Sequence, residues 1–181
     1  MGKRVVDRKW RRRSLARYAI ALTDIHLATQ TCELLLEQRP GLADPKYWAY
    51  HTAIVNAYAR PFTENKPLGQ LPENIMRILT PEERELHREI LEDRKTASAH
   101  SDLSAKPVYF MPRGAELGDT GEHAESSGFV IARTAWEFDR WEKVLALTKR
   151  VGEHIQGEAF KLVEDLYGDL YAPRPIKIEI E

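Results

Sequence analysis

Between Arg11 and Gln38 the chain runs for 28 residues without a glycine or a proline. Within that run Leu15, Tyr18, Leu22, Ile25, Thr29, Cys32 and Leu36 recur at spacings of 3 and 4. This is the signature of one long amphipathic helix, about 42 Å at ~1.5 Å per residue, whose apolar seam has to be covered by other helices. Pro40 and Gly41 stop it. A matching pattern returns near the other end, where Trp141, Leu145, Thr148, Gly152, Ile155, Ala159, Leu162 and Leu166 alternate at 4 and 3 in a helix expected from Thr134. Gly152 and Gly157 weaken that helix locally and mark a kink or a close helix contact. Two seams of this length are stable only when they bury one another, which predicts an all-α fold.

The segments between them supply shorter elements. Asp44 is a good N-cap with Pro45 at the first helical position, and "KYWAYHTAIVNAYAR" continues as a helix until Pro61. Its aromatics Tyr47, Trp48, Tyr50 and Tyr58 read as core and interface. Residues 61–72, with three prolines and a glycine, form a loop. "TPEE" at 80–83 then starts a third helix, with Thr80 as N-cap and Glu83 placed to complete a capping box. Beyond Asp102 the period changes, and "PVYFM" (107–111) and "GFVIA" (128–132) read as a small β-hairpin. The expectation is a single domain over residues 1–181: an antiparallel helical bundle with two long and two or more shorter helices. A basic N-terminal arm (1–10), a hairpin insertion (103–133) and an extended tail (172–181) complete it. No internal repeat is visible.

A chain of 181 residues can bury roughly 70% of the surface it exposes when unfolded, so it needs no metal or disulfide for stability. The single cysteine, Cys32, beside Leu34, Leu35 and Leu36, reads as a buried thiol in a reducing compartment. No apolar run approaches the ~20 residues of a bilayer span and no signal-peptide pattern is present, which predicts a cytoplasmic protein without membrane contact. The formal charge of −1 hides an asymmetry: residues 1–17 carry eight Lys or Arg and one Asp (+7), the remainder nineteen against twenty-seven (−8). The segment "RKWRRR" could contact nucleic-acid phosphates, or could neutralise the chain's own acidic surface or pair with a partner chain.

The third helix carries the chemistry. At ~100° per residue, Leu86, Ile90, Leu91 and Ala97 define its packed face, and Glu83, His87, Arg94 and Ser98 fall within the same arc. Arg84, Glu85, Arg88, Glu89, Glu92, Lys95 and Thr96 fill the opposite one. An arginine on a packed face is costly unless it meets acceptors. One reading is a buried network of Glu83, His87 and Arg94 that ties helices together; the other is a cleft in which Arg94 is offered to an anionic ligand. Continued helix would hold His100 about 120° away from Arg94, but Ser98, Ser101 and Asp102 are good terminators, and unwinding near Ala99 would let the imidazole swing back.

The succession of "AYARPF" (57–62), "ELHREILEDRKTASAHSD" (85–102), a short hairpin and a long final helix resembles proteins of the HEPN superfamily, from Asp44 onward. These are all-α bundles, often dimeric, of toxin–antitoxin and phage-defence systems and of nucleotide-handling enzymes. Their signature is Arg, four to six residues, then His, and Arg94, five residues and His100 fit it. The resemblance implies an endoribonuclease that works without a metal or cofactor. His100 would be the acid or base and Arg94 the stabiliser of the charged phosphorane, roles suited to an imidazole and to a guanidinium fork. It also implies a homodimer with paired motifs, RNA or a nucleotide as ligand, and an antitoxin or other protein partner. Active members usually carry Asn, Asp or His after the Arg, whereas Lys95 stands here. The alternative is a non-catalytic helical module that binds nucleic acid, a nucleotide or a protein. Arg60, in the matched "YARPF" segment, would lie beside Arg94 in the cleft or cap its own helix. Ser98, Ser101 and Asp102 would border that cleft with Glu83 and His87. His26 and His51 read as seam residues, and His123 and His154 carry no signal. No CxxC, HExxH, P-loop, dinucleotide-binding or GxSxG pattern is present.

Overall fold

A computed structural model of the chain describes residues 8–64, 68–98, 108–116, 123–131, 135–168 and 178, without the side chains of residues 96–98, 108, 130 and 131. Four α-helices carry it: α1 (Arg8–Gln38), α2 (Pro45–Ala59), α3 (Pro81–Ser98) and α4 (Phe138–Tyr167). Short 3-10 turns occupy Arg60–Phe62 and Glu73–Ile78. Strands β1 (Val108–Met111) and β2 (Gly128–Ile131) pair antiparallel, with Phe110 opposite Phe129. The fold is the all-α bundle with a small hairpin that the periodicity predicts. No helix among the described residues is long and apolar enough to cross a membrane.

Local chemistry sets the helix ends. The Asp44 carboxylate accepts from the Lys46 N–H at 2.9 Å and Pro45 follows, as an N-cap requires. At the start of α3 the Glu83 N–H donates to the Thr80 hydroxyl at 3.2 Å, while the Thr80 N–H donates to the Glu83 carboxylate at 2.9 Å, a complete capping box. The chain leaves α1 through Arg39 in the left-handed region (φ 42°), one residue before Pro40. Two boundaries differ from expectation. α1 begins at Arg8, so the last three residues of the expected arm are already helix. α4 begins at Phe138 rather than Thr134, because the backbone ahead of it is bound elsewhere: the Trp136 N–H donates to the Tyr47 hydroxyl at 2.8 Å and the Trp136 carbonyl accepts from it at 2.7 Å.

Ion pairs and hydrogen bonds fix the order of the helices around the bundle. Arg60 to Asp24 and Tyr50 to Gln38 set α2 antiparallel to α1. Tyr58 to His87 and His51 to Asp93 set α3 antiparallel to α2. Glu83 to Arg150 and Glu89 to Arg140 do the same for α3 and α4. Arg11 to Asp165, Glu33 to Lys149 and Arg39 to Glu142 close the ring between α4 and α1. The result is an up-down-up-down bundle. Its core is built on Ile25, Cys32, Leu35, Tyr47, Ile54, Tyr58, Ile90, Trp141, Leu147 and Ile155, all without exposure. Gly152 faces Ile25 across the broad α1–α4 contact, where a Cβ would lie 3.4 Å from the Ile25 methyl, so this glycine marks a close helix approach. Gly157 has open space around it.

Of the leucines beside Cys32, Leu35 points inward and Leu34 outward. The Cys32 thiol donates to the Trp141 carbonyl at 3.3 Å, and burial pushes it up to about 12, which leaves it protonated and unreactive at neutral pH. The basic start of α1 lies beside the acidic end of α4, where Arg11 meets Asp165 at 3.2 Å. Each end opposes its own helix dipole, and the antiparallel contact offsets both.

Candidate functional site

Arg94 and Arg60 line one open cleft of about 490 Å³ together with Leu27 of α1 and Ala49, Thr52, Ala53 and Asn56 of α2. The four α2 residues recur at 3, 1 and 3, so they form one helix face. Small side chains on that face make the floor of the cleft. Arg60 stands at one end, where its Nη1 meets Asp24 Oδ1 at 2.8 Å. Its backbone N–H donates to the Asn56 carbonyl at the end of α2, and the chain runs on from there into the 3-10 turn. Arg94 comes from the last turns of α3, half-buried, and makes no ion pair with any described residue.

The other candidates separate. Glu83, His87 and Arg94 share an arc on the helix wheel, but Glu83 and Arg94 are eleven residues apart, about 16 Å along the axis, so the expected network does not form. Glu83 spends its carboxylate on the capping box and on Arg150 of α4, with Oε1 2.9 Å from the Arg150 Nε. His87 is enclosed by α2: its Nδ1 shares a hydrogen bond of 3.0 Å with the Tyr58 hydroxyl, and its ring packs edge-on against Phe62 at 4.7 Å. Burial holds the imidazole down to about 4 and pushes the Tyr58 phenol up, with the nearby Glu83 charge adding to the latter. The pair is therefore neutral at physiological pH. Neither Glu83 nor His87 lines the cleft. His100, Ser101 and Asp102 lie outside the described residues, as does the Ser98 side chain. Lys95 points to solvent and pairs with Glu92 at 2.7 Å.

A second cluster adjoins Arg94. His51, buried on α2, has its Nε2 2.8 Å from Asp93 Oδ2, although the atoms do not align as a hydrogen bond. Its ring is boxed by Tyr47, Trp48, Trp136 and Trp141, with centroids 5.3 to 6.2 Å away. This contact lies one residue before Arg94 on α3. Sequence reasoning placed His51 on a seam but not against Asp93, since the two are far apart in the chain and no spacing rule joins them. Asp24 and Leu27 were missed for the same reason.

Among the described residues no group of three or more His, Cys, Asp or Glu is placed to hold a metal ion. The chain matches no family model, no curated protein and no solved structure.

Proposed function

We propose that the Arg60–Arg94 cleft binds the phosphate groups of RNA and that the chain, as a HEPN-like endoribonuclease, cuts the strand without a metal. Arg94 holds the charge that builds on phosphorus, and His100, six residues on, moves the proton. The ribose 2'-hydroxyl gives up its proton as its oxygen attacks the adjacent phosphorus. The bond to the 5'-oxygen breaks, that oxygen takes up a proton, and a 2',3'-cyclic phosphate is left. The observation that carries this reading is Arg94 itself: a guanidinium on the packed side of a helix, open to a cleft, with no acid among the described residues to neutralise it. In this reading the protein acts in a toxin or phage-defence setting, inside the cell.

One observation favours the non-catalytic alternative. Lys95 stands where active HEPN proteins usually carry Asn, Asp or His, and it is turned away into a surface pair with Glu92. Labelled RNA, incubated with nuclease-free protein in EDTA, separates the two. Under the ribonuclease reading the parent cleaves, and His100→Ala and Arg94→Ala each lower the rate by at least ~100-fold with unchanged circular dichroism. Only Arg94→Ala also weakens binding. Salt-sensitive binding without cleavage establishes the alternative, and cleavage by His100→Ala at the parent rate sinks the enzyme.

A further inference from the structure

Arg94 follows directly on Glu92 and Asp93 in the chain, yet it makes no ion pair with any described residue. The acids around it are turned elsewhere. On the same stretch of α3, Glu89 pairs with Arg140 of α4, Glu92 pairs with Lys95, and Asp93 lies 2.8 Å from the His51 imidazole of α2. At the other end of the cleft Asp24 is taken by Arg60. Of these four partners only His51 is buried. Its side chain is 6% exposed, and its Nε2 and the facing Asp93 Oδ2 are closed to solvent without aligning as a hydrogen bond. Such a pair is a poor source of stability, because a carboxylate taken out of water loses its hydration and apolar side chains of similar volume often serve as well or better. The rings of Tyr47, Trp48, Trp136 and Trp141 enclose the imidazole, so it stands as a fixed post for the carboxylate.

We infer that His51 is a positioning residue for the anion site: it holds the Asp93 carboxylate inward and so keeps the Arg94 guanidinium available to a phosphate. Asp93 and Arg94 are neighbours on one helix, about 100° apart in angle, and the long arginine side chain can fold back onto a released carboxylate. Without the imidazole the Asp93 carboxylate loses the group it faces, and a buried carboxylate short of a partner is costly. The cation next to it in the chain is Arg94. An internal pair between the two would compete with every anionic ligand for the same guanidinium. The inference rests on the phosphate-binding reading of the cleft and adds to it the reason that Arg94 is not neutralised by its own neighbours.

A short labelled 2'-O-methyl RNA tests it, since this probe lacks the attacking hydroxyl and reports affinity without turnover; circular dichroism checks the helices of each variant. His51→Leu is expected to raise the Kd at least ~10-fold, the effect of an Arg94 held by Asp93. Asp93→Asn, which is isosteric and uncharged, and the double variant His51→Leu/Asp93→Asn are expected to stay within ~3-fold of the parent. Recovery in the double variant is what a merely structural pair would not give, because both changes then break the same contact. Asp93→Asn leaves the aromatic box whole, so it decides the matter by itself where His51→Leu does not fold. A His51→Leu protein that binds like the parent, or an Asp93→Asn or double variant that binds as weakly as Arg94→Ala, overturns the inference and leaves the cleft standing. A parent that does not bind the probe, or an Arg94→Ala protein that binds like the parent, overturns the phosphate-binding reading and this inference with it.

Discussion

His87 shows how a residue that looks reactive on a helix wheel becomes a structural one. The wheel places it inward with Arg94; the bundle places it against Tyr58 and Phe62, where it is buried and held down to about 4. In the unfolded chain an imidazole titrates near ~6.5. Between these values the unfolded state binds a proton that the folded state refuses, so stability is fully present above ~6.5 and is lost as pH falls toward 4. At about 1.4 kcal/mol per pH unit the window is worth about 3 kcal/mol. Urea unfolding between pH 7.5 and 4.5 should show this loss in the parent. His87→Gln, which keeps a partner for the Tyr58 hydroxyl, should flatten it. An equal pH dependence in both proteins would assign the acid sensitivity to other groups.

Among the elements, α3 is the one whose ends do different work. Its first turn is anchored twice, by the Thr80–Glu83 capping box and by the pair from Glu83 to Arg150, while its last turns carry Asp93 against His51 and Arg94 into the cleft. Thr80→Ala removes one half of the box and is expected to cost about 1 kcal/mol in chemical denaturation, with no effect on ligand binding at the far end. The box itself was legible in "TPEE", because capping is local and needs only the right residues three apart. The partner of Glu83 was not. On the wheel Arg94 looked the obvious choice, since angle is what a wheel displays, but about 16 Å of helix separates the two and the carboxylate is taken by a residue from α4. Helix starts and seams follow from near neighbours; ion pairs between helices depend on which faces meet, and one sequence does not say.

At the scale of the whole molecule, cooperative stability lies in the four helices and not in the hairpin. Among the described side chains, none from the hairpin belongs to the buried core, and Phe129 is 77% exposed, packed edge-on to Phe110 at 5.9 Å. A two-stranded hairpin adds little stability of its own. Phe129→Ser should therefore leave the unfolding free energy within about 0.5 kcal/mol of the parent, whereas Trp141→Ala should remove about 3 to 5 kcal/mol, both read from urea midpoints. This division was visible in the chain, where the two long seams outweigh the short β-prone runs. The position of the cleft was not, because it depends on α1, α2 and α3 meeting around small residues that carry no chemical signature. The aromatic box around His51 has one more consequence. Of the four tryptophans, Trp48, Trp136 and Trp141 all touch that imidazole, and Trp10, at the start of α1, is 56% exposed. Ultraviolet emission from this protein is thus a built-in optical reporter of one corner, the corner whose next residue along α3 is Arg94, and it needs no label to follow what arrives there.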